Sequence, residues 1–263
     1  MTLRKRSISS RLDGPAIVQE ARRLLAPRIE QPARRAFLRR TLTLGGLAML
    51  SGCSLSDDQS VEQALAAVSR FNDRVQGWIF DPGQLAPTYP ESMITRPFPF
   101  NAYYGIEDVP RVEEADYQLE LSGQVAEKRP WRLDQLRAMP QVEQVTRHIC
   151  VEGWSAIGKW GGVRFSDFLR RVGADLQAKY VGFKCADDYY TSIDMPTALH
   201  PQTLLALTYD GRPLPPEYGF PMKLRMPTKL GYKNPKHIQA IYVTNTFPGG
   251  YWEDQGYNWF GGS

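Results

Sequence analysis

Cys150 lies in a segment whose residue types suit chemistry, RHICVEGWSAIGKWGG, from Arg147 to Gly162. The adjacent Arg147 and His148 are expected to stabilise the thiolate, which is the form of cysteine that attacks electrophiles and binds metals. A single thiolate does not make a zinc site, because such a site needs about four ligands at characteristic spacing. The segment therefore predicts a nucleophile or one ligand of a metal centre.

Two other interpretations of Cys150 stay open at this point. In an oxidising compartment it could form a disulfide with Cys185, since the chain has only one further cysteine, Cys53. A hydrolytic Cys–His pair is the other interpretation. His148 is only two residues away, however, and such partners usually come from elsewhere in the fold.

A basic segment, residues 221–238 (PMKLRMPTKLGYKNPKHI), is the second candidate for chemistry. One interpretation is a solvated charged face. Its prolines and glycine favour a shaped loop instead, in which lysines and backbone N–H groups converge on a phosphate dianion. The cations of this segment are Lys223, Arg225, Lys229, Lys233 and Lys236.

Two aromatic segments frame the same region of the chain. NAYYG, residues 101–105, places an amide and two tyrosines before the first predicted strand, which is weak evidence by itself. GGYWEDQGYNWFGG, residues 249–262, carries aromatic and acidic residues without any helical or strand period. It predicts a capping lid or a contact surface.

The elements that must position these residues are short. Alternating or apolar runs predict strands, an Asp-Gly pair at Asp210 predicts a hairpin turn, and Ser166 is expected to cap a short helix that ends before Gly173. A longer helix is predicted around residues 60–80, followed by a proline-rich stretch. Together these elements predict an α+β, strand-rich fold. The predicted strands are 117–123, 142–150, 178–188, 204–214 and 237–245, and the short helices are 132–140 and 165–173.

The N-terminal segment differs in charge from the rest of the chain. Residues 1–52 hold 11 basic and 3 acidic residues, so the remainder carries a net charge of −4 and gives no sign of nucleic-acid binding. Arg34 and Arg35 precede Phe37, an uncharged stretch and the sequence LSGC. This pattern resembles a twin-arginine export signal with a lipobox, in which Cys53 is lipidated and becomes the mature N-terminus.

From about Asn101 to Val243 the chain resembles the sulfite-oxidase-like molybdopterin oxidoreductases, whose bacterial branch includes periplasmic methionine sulfoxide reductases. The resemblance is carried by CVEGWSAIGKWGG, SIDMPTALHPQTLLAL and GFPMKLRMPTKLGYKNPK, and by the spacing between them. It implies the sulfite-oxidase-type molybdopterin-binding fold, with mixed sheets and short helices. It also implies a molybdenum centre held by a pterin dithiolene and one protein thiolate.

The resemblance assigns roles to individual positions. Cys150 is the expected metal ligand, and Arg147 and His148 are expected to tune its charge during catalysis. Cys185 is expected as a thiol near the pterin. Further pterin or phosphate contacts are expected at Asn101, Tyr104, Lys223, Asn234 and Lys236.

Some positions depart from the family pattern. Gly105 replaces a glutamate of the reductase branch, Tyr218 replaces an asparagine, and Lys184 or Cys185 replaces a threonine. Lys223 replaces an arginine, which keeps the charge and loses the fork geometry. The arginine-rich stretch that follows the ligand cysteine in sulfite oxidases is absent here, so sulfite is not the expected substrate.

These observations predict four regions and an enzymatic function. The regions are a signal and lipobox (1–53), a tether (54–100), a molybdopterin-binding oxidoreductase domain (101–247) and an aromatic tail (248–263). The expected function is oxygen-atom or electron transfer, with sulfoxide or N-oxide reduction as one form, in the periplasm or cell envelope. Expected partners are the twin-arginine translocase, a small substrate and a membrane cytochrome or quinone-linked electron partner. The alternative is a non-catalytic binding protein tethered to the membrane on the same scaffold.

Overall fold

The computed structural model describes residues 58–263. The predicted export signal and the predicted lipidation of Cys53 lie outside these residues. Residues 65–263 pack as one unit. Within residues 58–263, no helix combines the length and the apolar character that crossing a bilayer requires.

Two sheets form the body, as the alternating patterns predict. The first has the strand order β1-β9-β4-β5, and its β1–β9 pair is parallel. The second has the order β2-β3-β6-β7, with β8 also paired to β6. Their bounds are β1 (Glu120–Gly123), β2 (Gln141–Ile149), β3 (Ser155–Arg164), β4 (Tyr180–Cys185), β5 (Tyr190–Asp194), β6 (Leu204–Tyr209), β7 (Arg212–Pro213), β8 (Lys223–Arg225) and β9 (Ile238–Thr244).

The helices are few and mostly short, which fits the high proline and glycine content. The predicted helix near residues 60–80 is confirmed as α1, and the two predicted short helices are α2 and α3. Ser166 does not cap α3, because the helix already begins at Phe165 and Arg164 takes the cap position. The bounds are α1 (Asp58–Ile79), α2 (Leu133–Arg137), α3 (Phe165–Arg171) and α4 (Met195–Leu199), with single 3-10 turns at Glu91–Met93, Ile106–Asp108, Pro216–Tyr218 and Gly231–Lys233.

The segment GKWGG after Cys150 is part of strand β3, and its glycines allow two strands to approach closely. A Cβ on Gly162 would lie 1.9 Å from the backbone oxygen of Leu205 on β6, and one on Gly161 would lie 2.4 Å from Thr208 Oγ1. The pairing register of β3 with β6 shifts between these two glycines. Gly161 and Gly162 therefore serve the packing of the sheet.

A large apolar core lies against both sheets, and a smaller aromatic cluster lies beneath the basic segment. The core includes Phe165, Phe183, Leu205 and Ile241, all at most 2% exposed. In the aromatic cluster, Trp160 is fully buried. Mixed sheets with few short helices confirm the predicted α+β, strand-rich fold class.

Candidate active site

Cys150 stands at the first position after β2, in the tight connection to β3. Its backbone N–H donates to the oxygen of Trp154 (2.9 Å), and Gly153, with φ of +92°, closes the turn. The thiol Sγ lies 3.5 Å from a carboxylate oxygen of Glu152, which also accepts a hydrogen bond from Trp154 Nε1 (2.8 Å). The turn thus holds the thiol and one carboxylate side by side.

Strand alternation separates the two residues that were predicted to act on Cys150. Successive side chains of a strand point to opposite faces, so His148 is fully buried while Arg147 is exposed. The Arg147 guanidinium lies over the ring of Tyr89, 5.2 Å from its centre. The structure thus places Arg147 on the face opposite His148, and its role in tuning the thiol stays a prediction.

His148 does not act as a cation beside the thiol either. Burial lowers its pKa well below the usual value, and the charges of Lys223, Arg225 and Lys236 lower it further. Burial and the carboxylate of Glu152 raise the pKa of the Cys150 thiol, partly offset by backbone hydrogen bonds. In the described residues, neither Arg147 nor His148 stands as a cation beside the thiol.

A cavity of ≈ 270 Å³ opens beside Cys150. The structure brings together most of the predicted site at this cavity, although Lys223, Cys185, Arg147 and His148 are not part of its lining. The predicted residues that line it are Asn101, Tyr104, Cys150, Asn234 and Lys236. The lining residues that were not predicted to belong to the site include Tyr103, Glu152, Asp187, Tyr189 and Tyr257.

Asn101 and Tyr104 are held by specific contacts. The side-chain amide of Asn101 lies 3.5 Å from His148 Nε2. The hydroxyl of Tyr104 donates to a carboxylate oxygen of Asp187 (2.9 Å), and burial together with that carboxylate raises the tyrosine pKa. Neighbouring Tyr103 is stacked on Tyr251, with ring centres 4.9 Å apart. NAYYG is thus an ordered wall of the cavity.

Three buried cations lie next to the cavity without a carboxylate partner. Lys223 is 2% exposed, Arg225 is fully buried and Lys236 is 8% exposed. Within residues 58–263, none of the three forms a salt bridge; the Lys236 ammonium donates only to the backbone oxygen of Glu217 (3.2 Å). Burial lowers the pKa of Lys236 to about 8, and it also lowers the pKa of Lys223 well below its usual value. Burying charge without a partner is costly, so this cluster suits an anionic ligand.

Asn234 and Arg225 shape the loop between β8 and β9. The Asn234 side-chain oxygen accepts hydrogen bonds from the Met226 N–H (2.6 Å) and from Arg225 (3.2 Å), and its amide donates to the Leu230 oxygen (2.9 Å). Arg225 also donates to the Arg147 oxygen (2.6 Å). Arg225 therefore ties the lysine-bearing loop to the strand that carries Cys150.

Two lysines of the basic segment serve the C-terminal tail rather than the cavity. Lys233 forms a buried ion pair with Glu253, and the Lys229 ammonium donates to the Phe260 oxygen (2.9 Å). Trp252 and Tyr257 of the tail line the cavity. Phosphate binding by the Lys223–Lys236 region stays a prediction; of its four lysines, Lys236 lines the cavity, and Lys229 and Lys233 contact the tail. The tail is a wall of the site, as one of the two predictions for it proposed.

Cys185 is a free, buried thiol at the end of β4, and Cys150 is also free. The disulfide interpretation is therefore wrong for this structure. Cys185 packs in the main apolar core, and burial raises the pKa of its thiol. Its predicted contact with a cofactor has no support from the cavity lining.

Comparison with known proteins identifies the family. Residues 106–252 match the oxidoreductase molybdopterin binding domain. A protein of Azospira oryzae, provisionally named protein-methionine-sulfoxide reductase subunit YedZ1, is 71% identical over 95% of this chain and 96% of its own. The protein-methionine-sulfoxide reductase catalytic subunit MsrP of Xanthomonas campestris pv. campestris is 34% identical over 52% of this chain and 48% of its own.

A solved structure also aligns with part of the chain. The sulfane dehydrogenase SoxCD from Paracoccus pantotrophus aligns with a TM-score of 0.49 and 18% identity, over 52% of this chain and 40% of its own. The chain spans about half the length of the MsrP relative.

The chain belongs to the sulfite-oxidase-like family of molybdopterin oxidoreductases. It is an enzyme that binds a molybdopterin cofactor, as its resemblance implied. The individual site residues stay predictions.

The residues present fit this cofactor. The cations Lys223, Arg225 and Lys236 supply charge for a phosphate, and Cys150 presents a soft sulfur ligand to the cavity. A Cβ on Gly231 would lie 2.8 Å from His148 Nε2, so a side chain at that position would crowd the polar wall. His148 Nδ1 and His237 Nε2 are buried and have no hydrogen-bond partner in the described part of the chain.

Proposed function

We propose that the protein is the catalytic subunit of an exported sulfoxide reductase that receives its electrons from a membrane partner. The proposal rests on one cavity, which is lined by Cys150 together with Asn101, Tyr104, Asn234 and Lys236. The names of the Azospira and Xanthomonas relatives support a sulfoxide as the substrate. N-oxides are a second substrate group to be tested.

The reaction divides between the cofactor and the protein. Reducing a sulfoxide to a thioether consumes two electrons and two protons and releases water. Bound molybdopterin supplies the two-electron oxygen-transfer chemistry, while the protein orients the groups and excludes water. Cys150 would hold the metal, and the cations Lys223 and Lys236 would hold the phosphate.

Glu152 is the residue that we assign to proton delivery. Its carboxylate lies on the cavity wall, 3.5 Å from the Cys150 sulfur, and Trp154 Nε1 fixes its orientation at 2.8 Å. From this wall, Glu152 is placed to pass a proton to the oxygen that leaves the substrate.

The mouth of the cavity suits the methyl and methylene groups of a sulfoxide such as methionine sulfoxide. Tyr103, Trp252 and Tyr257 line it, and sulfur next to aromatic rings is a favourable contact. Tyr103 is 39% exposed, so it is accessible from solvent. A side chain carried on a peptide could enter without the whole peptide being buried.

The sequence supports proposals for the electron donor of the enzyme and for the location of the protein. The chain has no CxxCH haem motif, so electrons come from another protein, for which a membrane cytochrome or quinone-linked subunit is the proposed donor. The twin-arginine pattern and the LSGC sequence support export of the folded protein and lipidation of Cys53. The mass of the mature N-terminus tests this part of the proposal.

The experiment compares three forms of the protein produced with molybdenum and purified with the cofactor. Metal content and reduction of methionine sulfoxide by a reduced viologen dye are measured for wild type, Cys150→Ala and Cys185→Ala. We expect near-stoichiometric molybdenum in the wild type and in Cys185→Ala, and loss of metal and activity in Cys150→Ala. Full activity of Cys150→Ala, or wild type without molybdenum, would refute the proposal.

A further inference from the structure

Helix α1 presents a continuous apolar face to solvent. Its members stand at positions 65, 68, 71, 78 and 79, which fall on one side of a helix at 3.6 residues per turn. Their exposed fractions range from 57% to 85%, and Trp78 is the most exposed. Exposed apolar residues grouped in this way mark an interaction surface. This apolar face comprises Leu65, Val68, Phe71, Trp78 and Ile79.

The other side of α1 is fixed to the C-terminal tail, so the helix cannot turn its apolar face inward. The Asp73 carboxylate accepts hydrogen bonds from Asn258 Nδ2 (2.6 Å) and from the Phe260 N–H (2.9 Å). Gly77 lies against the Phe260 ring, which a Cβ at that position would meet at 3.7 Å. The outward direction of the apolar face is therefore set by polar contacts of the folded protein.

The apolar face continues past the end of the helix. Ile79 and Leu85 both line a second cavity of ≈ 610 Å³, and Leu85 is 58% exposed. Arg70 and Arg74 are exposed on the same helix, and Arg74 Nε donates to the Arg70 oxygen (3.2 Å). Apolar residues with tryptophan on one face and arginines nearby are the pattern of helices that lie in a lipid interface.

We propose that this apolar face of α1 rests on the surface of a lipid bilayer that contains anionic lipids. The position of the helix in the chain supports this occupant, because only residues 54–57 separate Cys53 from Asp58. That short spacer spans at most about 15–20 Å. An acyl chain on Cys53, which rests on the lipidation proposed above, would hold α1 at the depth of the head groups.

The apolar face of α1 would add a second membrane attachment to the acyl chain on Cys53. An acyl anchor alone leaves the attached body free to rotate, whereas a helix in the interface fixes one orientation. Apolar burial of one aromatic side chain changes a binding constant by about tenfold or more. The face is therefore expected to bind vesicles measurably even without the acyl chain.

The test uses the full chain, loaded with cofactor, in which Cys53→Ser removes the acylation site. Co-sedimentation is measured with protein-free vesicles of phosphatidylethanolamine and phosphatidylglycerol. On the same background, Phe71→Ser and Trp78→Ser are compared with Phe247→Ser, whose side chain is 54% exposed and lies outside α1. We expect vesicle binding of the Cys53→Ser protein to fall about tenfold in each α1 variant, and to stay unchanged in Phe247→Ser.

Quenching by brominated lipids supplies a second measurement. Trp78 fluorescence is expected to be quenched, and the quenching to disappear in Trp78→Phe. Absence of vesicle binding by Cys53→Ser overturns the proposal, as does an equal effect of Phe247→Ser. Binding only to native membranes would assign the face to a membrane protein, and a dimer that Phe71→Ser dissociates would assign it to a second copy. Molybdenum content and sulfoxide reduction, measured on the same samples, report separately on the proposed function.

Discussion

The Lys233 ammonium and the Glu253 carboxylate form an ion pair whose side chains are only 1% and 3% exposed. Lys233 also donates to the Ser192 oxygen (2.7 Å), and Thr191 Oγ1 donates to Glu253 (2.7 Å). This network joins the loop after β8 to the tail that lines the cavity. The tail is therefore attached by buried charge as well as by aromatic packing.

Breaking this ion pair on one side is expected to destabilise the protein strongly. Glu253→Gln leaves the Lys233 charge buried without a carboxylate, which costs about 3–5 kcal/mol. The free energy of unfolding in urea measures the effect. The exposed pair of Arg170 and Asp167 is the control, and Asp167→Asn is expected to change stability by less than about 1 kcal/mol. Equal effects of the two variants would contradict the role of Glu253.

Lys223 is expected to lower the stability of the folded protein and to support cofactor binding. Without a carboxylate partner its buried charge opposes folding, so Lys223→Met should raise the unfolding free energy of protein made without molybdate, by about 2 kcal/mol. The same variant made with molybdate should lose most of its molybdenum. Lys184→Met, on the exposed side of β4, should change neither quantity. Retention of metal by Lys223→Met would remove Lys223 from the site.

Gly231→Ala is expected to lower cofactor loading while the fold survives. The new Cβ would come within 2.8 Å of His148 Nε2 and 3.6 Å of Asn101 Nδ2, which forces the polar wall of the cavity to move. Molybdenum content per protein measures the effect, with circular dichroism as the check on folding. Gly77→Ala meets only ordinary contacts and should keep full loading, so a loss there as well would show that the assay reports general damage.

Glu152→Gln is expected to slow turnover without loss of metal. Glutamine keeps an oxygen that accepts from Trp154 Nε1 but cannot deliver a proton, and loss of a general acid typically costs about 10²–10⁴-fold in rate. Glu120→Gln, at an exposed position of β1, is the control. Unchanged kcat with normal molybdenum content would rule out Glu152 as the proton donor.

Lys229 gives a prediction about pH. Burial lowers the pKa of its ammonium from 10.5 to about 7, so between those values the unfolded chain binds more protons than the folded protein. Stability therefore rises with pH across this window, and the burial of Lys229 is most costly below about pH 7.

The variant Lys229→Met has no titratable group at position 229. Its stability relative to wild type should increase as the pH falls from about 10 to about 7, by about 1.4 kcal/mol for each unit of pKa shift at most. Urea unfolding of both proteins at several pH values measures the difference. A constant difference across the window would show that Lys229 titrates normally.

The sequence predicted the strands and turns whose signals are local. Asp210 and Gly211 both have positive φ, at 49° and 73°, as the Asp-Gly turn required. The strand that ends before Cys150 is confirmed as β2. The family resemblance added the cofactor, which no local pattern in the chain specifies.

The sequence did not predict the contacts that depend on tertiary packing. The tail has no period, so its contacts with Lys229 and Lys233 could not be predicted from patterns. The one sequence feature that indicated a buried ion pair with a lysine was Glu253, a single glutamate among the aromatic residues of the tail. The separation of Arg147 from His148 is predictable from sequence, because strand alternation places neighbouring residues on opposite faces.

That alternation at the end of β2 has a consequence for turnover. Arg147 and Ile149 line the second cavity, beside the membrane-facing helix, while Cys150 lines the first. A reductant that docks at the second cavity and a sulfoxide that enters the first would not compete for one surface. Neither compound should then inhibit turnover at high concentration by occupying the site of the other.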